Sequence, residues 1–284
     1  MAKKHVIVAF PASVISDTPH LREKTAKIGY IGRAAAIFKV SELIVYADNP
    51  KVNQRKDIEL IVTWLNYMDT PQYLRKRLFE LKPELQFAGV LPPLRTPHHP
   101  LRCSLRDLKV GDYREGVVIS KNKEGALVDV GIERPVLLHN SQFEVNKRLT
   151  LKVVKIGETV EVQNVDRAEV PHYWGFTVGV ENRSFRALLE NPRFDLVVGT
   201  SKFAVSFQET VQPLHERWVK AKTVLLLFGS PTQGLFEIAK AEHLNIHDYV
   251  DFMVNTLPDQ GTETVRTEEA VIATLAIFNM YFGF

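Results

Sequence analysis

The chain has 284 residues, 45% of them hydrophobic, with 36 Lys and Arg against 33 Asp and Glu and one cysteine. This excludes a collagenous, low-complexity or disordered chain, and the length can bury a sizeable core in one large or two ordinary domains. Cys103 has no partner for an intramolecular disulfide, and the longest uncharged apolar stretch, 270–284, is too short for a bilayer and is interrupted by Thr274 and Asn279. The sequence therefore predicts a soluble, cytoplasmic protein with no membrane partner. Its net charge of +3 is unevenly spread: residues 1–100 carry +6, 101–180 carry +1 and 181–284 carry −4. A basic first third suits a phosphate-backbone partner, solvated helix faces being the alternative.

Residues 1–10 hold two lysines and a short apolar run ending at Pro11, which reads as a first strand over 5–10 rather than a signal peptide. Residues 21–39 then place Ile28, Ile31, Ala35 and Phe38 at helical spacing, and 43–46 return to a strand. That β-α-β opening predicts a parallel sheet with a right-handed crossover. Helices follow over 58–68 and 73–81, with Pro71 suited to a first turn. The run 91–100, holding four prolines, reads as a linker.

The period then changes. Valine-rich runs at 116–119, 126–130, 136–138, 150–154 and 159–165 alternate with turn chemistry at 121–125, 131–134 and 157–158, which predicts a small all-β barrel. Its first half resembles the RNA-binding OB-fold of ribosomal-protein type. Tyr113, Phe143, Tyr173 and Trp174 are its candidate stacking aromatics, with Lys121 and Lys123 as candidate phosphate contacts. After the barrel, continuous apolar runs at 196–200, 223–229 and 250–257 read as buried parallel strands. Helices are expected over 235–241 and 268–278, the last with Ala270, Ala273, Thr274 and Ile277 on one face. The expected organisation is an α/β domain in two parts, 1–100 and 181–284, interrupted by a barrel over 101–180.

Several chemistries are excluded by spacing. The stretch 229–234, Gly-Ser-Pro-Thr-Gln-Gly, has the glycines of a phosphate loop, but Leu235 and Phe236 stand where Lys and Ser or Thr are required. His243 and His247 lack the intervening glutamate of a zinc protease, and His98, His99 and Cys103 have no further ligands, so they read as linker residues and no metal is expected. No nucleophile elbow is present.

What remains is a pair of glycine loops. A buried strand opens into 229–234 before a helix, and a second strand ends in Leu257-Pro258 with Gly261 before the last helix. Glycine turns let a ligand approach the backbone closely. This arrangement, with the stretch 27–45 carrying Arg33 on the first helix, resembles the SPOUT methyltransferases, in particular the archaeal and eukaryotic RNA methyltransferases with an inserted OB-fold. The resemblance implies a deep trefoil knot in a mostly parallel sheet with helices on both faces. It also implies S-adenosylmethionine held by Phe228, Gly229, Ser230, Gly234, Leu257, Pro258, Gly261 and Thr264. Three positions depart from the family pattern: Lys27 and Arg266 replace asparagines and Pro231 replaces a glutamate.

By that resemblance the reaction is methyl transfer to RNA, expected to be ribosomal RNA at ring nitrogen 3 of uridine. Arg33 and Arg266 are the candidate catalytic residues, able to hold a phosphate or an anionic nucleophile by forked hydrogen bonds. Lys27 and Arg33 are further candidate RNA contacts. The resemblance also implies a homodimer in which Arg33 completes the partner's pocket, and the uncharged stretch 270–284 asks for a second covering surface. The alternatives are a non-catalytic RNA-binding or ribosome-assembly factor with a degenerate knot, and a methyltransferase acting on protein.

Overall fold

The computed structural model describes residues 4–101, 103–139 and 141–284, which divide into two compact units. One contains the described residues up to Met68 together with Glu84–Pro93 and Phe176–Phe284; the other contains Asp69–Pro83 and the described part of Leu94–Gly175.

The first unit opens with β1 (His5–Pro11), α1 (Leu21–Ile37), β2 (Glu42–Tyr46) and α2 (Arg55–Asp69), whose last residue begins the second unit. In that unit α3 (Gln72–Leu78) precedes five strands: β3 (Tyr113–Lys121), β4 (Gly125–Asp129), β5 (Val136–His139), β6 (Arg148–Ile156) and β7 (Val160–Asn164). They close into a barrel of order β3-β4-β5-β7-β6, with β5 and β7 parallel and the other pairs antiparallel. Val118, Val128, Val136, Leu151, Val153 and Val160 fill its interior, the period-2 alternation expected of a closed sheet. The proline run 91–100 joins the units but is not the open linker expected, because Leu94, Thr96 and His98 are buried.

The first unit resumes with β8 (Thr177–Glu181), α4 (Phe185–Leu189), β9 (Leu196–Ser206), α5 (Phe207–Lys220), β10 (Thr223–Leu227), α6 (Leu235–Ala241), β11 (Phe252–Asn255) and α7 (Thr267–Phe282). Six parallel strands form one sheet of order β11-β9-β10-β1-β2-β8. β8, which falls inside the insert expected over 101–180, is hydrogen-bonded to β2 at the sheet edge. β1, β2 and β10 are buried almost throughout, so both sheet faces are covered. Ile7, Ala9, Leu225 and Leu227 pack with α4 and α6, while Val6, Val8, Val224 and Leu226 are buried towards the opposite face. There α7 packs against both α1 and α5.

The structure corrects two expectations about α5 and α7. The sequence reading assigns no helix between 200 and 223, where Pro213 interrupts the pattern, yet Phe207, Leu214 and Trp218 recur at one-stripe spacing and are buried. The buried stripe of α7 is Val271, Thr274, Leu275 and Phe278, one position round from the face expected, because the larger side chains claim the core.

Candidate active site

β9, β10 and β11 are adjacent and parallel, so their carboxyl ends open at one edge of the sheet, the place where open α/β sheets bind ligands. After β10 the chain turns tightly: Ser230 N donates to Gln233 O at 2.8 Å, and Gln233 N to Ser230 Oγ at 3.0 Å. A Cβ on Gly229 would lie 2.9 Å from both Gln233 O and Gly234 Cα, so only glycine closes this turn. Hydroxyls from three other segments then take the carbonyls at the strand end. Thr200 Oγ1 donates to Leu227 O, Tyr46 Oη to Phe228 O and Thr267 Oγ1 to Gly229 O, all within 2.9 Å. Each bond ties the glycine loop to a different element, which holds it rigid.

The exit from β11 is fixed similarly. Leu257 N donates to Asn255 Oδ1 at 2.9 Å, Gln260 Nε2 to Thr262 O at 2.8 Å, and the buried Thr256 and Thr274 hydroxyls are 2.8 Å apart. Arg266 N donates to Glu269 Oε2 at 3.0 Å as α7 begins. Between these loops lies a cavity of about 320 Å³ walled by 200–203, 228–234 and 255–257, with Glu237, Gln260, Thr264, Val265, Thr267 and Ala270 completing it.

Of the expected cofactor residues, Phe228, Gly229, Ser230, Gly234, Leu257 and Thr264 line this cavity. Pro258 and Gly261 lie in the same loop but off its wall, and a Cβ at Gly261 would meet nothing within 4 Å. Thr264 does not cap α7; Arg266 occupies that position, exposed and between two lining residues. Sequence reasoning missed residues 200–203, because β9 continues well beyond the apolar run that announced it.

Arg33 is half-buried on α1 and donates from Nη1 to Pro93 O at 2.8 Å; it does not line the cavity of its own chain. Glu42, at the start of β2, is held instead by both terminal guanidinium nitrogens of Arg193. Lys27 is corrected as an RNA contact. It is only 6% exposed, with Nζ 2.7 Å from Asp17 and 3.8 Å from Glu268. Burial pushes the Asp17 carboxyl up, but the bond and charge of Lys27 bring it below its ordinary value. Burial raises Glu268 instead, since Lys27 is too far to compensate and Glu268 Oε2 has no hydrogen-bond partner among the described residues.

In the barrel unit, Trp174 is a core residue and not a stacking surface: it is 3% exposed and donates from Nε1 to Glu115 Oε1. Tyr113 is half-buried, with Lys152 Nζ 5.8 Å from its ring centroid and Trp174 edge-on. Phe143 lines a groove with His139, Gln142, Gln163 and Asn164, and Tyr173 is half-buried. Lys121 and Lys123 are exposed, the former paired with Glu144 at 2.9 Å.

His98 and His99 are not linker residues. His98, 1% exposed, contacts Thr96 Oγ1 and Asp69 O, and its Nε2 is 3.2 Å from the Asp69 carboxylate. Arg148 and Arg167 each approach Asp69 at 3.0 Å. Burial opposes the Asp69 charge, but Arg167, His98 and Arg148 hold the carboxyl well below its usual range, whereas burial pulls His99 down to about 3. Among the described residues no group of three His, Cys, Asp or Glu side chains could hold a metal, and no helix is long and apolar enough to cross a membrane.

Comparison with known proteins places these features. The sequence pattern of the family described as "Putative RNA methyltransferase" matches residues 5–278. A 28S rRNA (uridine-N(3))-methyltransferase of Drosophila melanogaster is 32% identical over 95% of this chain, which spans 60% of that relative's length. Its Homo sapiens counterpart of the same name is 30% identical over 95% of this chain and 76% of its own. An uncharacterized protein of Halobacterium salinarum is 31% identical over 94% of this chain and 96% of its own. The match runs almost end to end, across both glycine loops, the parallel sheet and the barrel, and the chain belongs to this family of putative RNA methyltransferases.

Proposed function

We propose that the protein is an S-adenosylmethionine-dependent RNA methyltransferase acting on ring nitrogen 3 of a uridine in ribosomal RNA. The observation that carries this reading is the cavity at the carboxyl ends of β9, β10 and β11, walled by both glycine loops. Its residues fit the cofactor: Phe228, Leu257, Val265 and Ala270 offer apolar surface to an adenine ring. Ser230, Thr232 and Thr264 offer hydroxyls to the ribose and the amino-acid end. The volume lies within the roughly 300–1,000 Å³ range of small-molecule sites. The family and its named relatives supply the RNA substrate and the uridine position, and we read the three walling segments as the trefoil knot.

S-adenosylmethionine held by these residues would supply an electrophilic methyl group, its bond to sulfur breaking with the electron pair going to sulfur as uridine nitrogen 3, its proton passed to solvent, forms the new bond. The glycine loop and the 255–267 segment would hold the cofactor and orient its methyl group towards the base. Arg33 and Arg266 stabilise the anionic nitrogen or the neighbouring phosphate through their fixed forks, neither being able to act as a base.

Arg33 serves a second copy of the chain in this reading. Tyr30, Arg33 and Ile37 share one face of α1, and Ile272 and Met280 one face of α7, with all four apolar side chains exposed. A homodimer covering that stripe would carry Arg33 to the partner's cavity. Calorimetry with S-adenosylmethionine tests the reading, with one site per chain expected; absence of binding would leave the non-catalytic alternative. Mass spectrometry of ribosomal RNA from a deletion strain is expected to show loss of one 3-methyluridine.

A further inference from the structure

Residues 200–204 of β9 form an excursion that sheet formation does not require. Met253 of β11 faces Gly199, while Val254, the next residue, faces Val205, so the pairing skips the segment between. Polar bonds fasten the skipped segment beside the cavity. Asn255 Nδ2 donates to Lys202 O at 3.1 Å, Lys202 Nζ to Glu263 O at 3.0 Å, and Thr200 Oγ1 reaches Leu227 O. On this segment Phe203 lines the cavity yet is 71% exposed, and Lys202 Nζ lies 5.1 Å from the centroid of its ring. An apolar ring held in water by a braced backbone gains nothing for folding. A flat ring beside a cation at a cavity rim has the chemistry that recognises a nucleotide, the ring stacking on a base and the ammonium meeting a phosphate.

We propose that Phe203 is the stacking platform for the base to be methylated and that Lys202 contacts a phosphate beside it. The inference rests on the methyl-transfer reading, since that reading makes a base at this rim a substrate. It supplies a specificity element that neither glycine loop provides: a stacked uracil presents its ring edge, nitrogen 3 included, towards the cavity.

The test uses the intact protein and two fluorescent probes, an oligouridylate of about ten nucleotides and an abasic ribose-phosphate oligomer of equal length. S-adenosylmethionine affinity is measured alongside by calorimetry. Phe203→Ala is expected to lose about tenfold in affinity for the oligouridylate, with the abasic probe bound as before, and Phe203→Tyr to recover it. Lys202→Ala is expected to weaken both probes and flatten the log-log salt slope by about 0.7. The proposal is overturned if wild type fails to bind the oligouridylate, if Phe203→Ala binds it unchanged, or if that variant weakens both probes alike. A wild-type protein that binds no S-adenosylmethionine would instead defeat the methyl-transfer reading, whatever the probes show.

Discussion

Asp69 concentrates much of the barrel unit's electrostatics on one carboxylate, with two arginines and His98 around it and Trp174 beyond. Removing its charge would leave both guanidinium groups without that counter-ion in a buried site, so Asp69→Asn is expected to destabilise the unit by about 3–5 kcal/mol in urea titration. The same cluster makes the fold acid-sensitive. His99 ordinarily titrates near 6.5 but only near 3 in the folded protein, so between those values the unfolded chain holds the extra proton. Stability is therefore complete above pH 6.5 and falls as pH drops towards 3. Asp69, also held below its ordinary 3.8, adds a second loss below that value. Thermal melts from pH 7 to 4 should show a steady decline that His99→Phe flattens; a flat wild-type profile would contradict the assignment. The glycines separate by the same residue-level reasoning. Gly229→Val must displace its own turn and should cost about 1–3 kcal/mol together with cofactor binding. Gly261→Val, with open space around it and off the cavity wall, should keep the melting temperature.

Among the elements, α7 couples the cavity to the core. Its first turn ties the glycine loop through Thr267, its middle meets the β11 exit through Thr274, and Phe278 packs between Phe207 and Trp218. Phe278→Ala is expected to cost about 3–5 kcal/mol by calorimetric unfolding, since the two flanking aromatic rings cannot readily collapse into the space. Much of the uncharged C-terminal stretch that suggested a partner is satisfied inside the chain: Phe282 and Phe284 both pack against Trp218. What remains uncovered is Ile272, with Met280 at 82% exposure and Tyr281. β9 shows the converse economy, with a buried half that builds the sheet and a second half that borders the cavity.

For the whole molecule, Arg33 lies outside the cavity of its own chain, so the role proposed for it requires a second copy. Light scattering at micromolar concentration is expected to give a dimer. Arg33→Ala and Gly229→Val, each inactive alone, should recover activity when dissociated and reannealed together, because the heterodimer holds one cavity with an intact loop and an intact arginine. Demonstrated heterodimers without activity would place Arg33 outside the reaction.

Much of this was legible before folding. Apolar runs without alternation announced parallel strands buried on both faces, short valine runs between turn residues announced the barrel, and the glycine spacing at 229–234 marked one of the cavity's walls. These signals are local: period, turn chemistry and conformational freedom are properties of consecutive residues. Tertiary structure alone decided the rest. Lys27 reads as a free cation until Asp17 and Glu268 surround it, His98 reads as a linker residue until Asp69 and Thr96 satisfy its ring, and Trp174 reads as a stacking surface until Glu115 takes its donor. Phe203 lies beyond the apolar run that announced β9 and carries no local signal; β11 skips past it and leaves its ring at the cavity rim. For Lys27, His98 and Trp174 the deciding partners Glu268, Asp69 and Glu115 are distant in sequence, which no local pattern encodes.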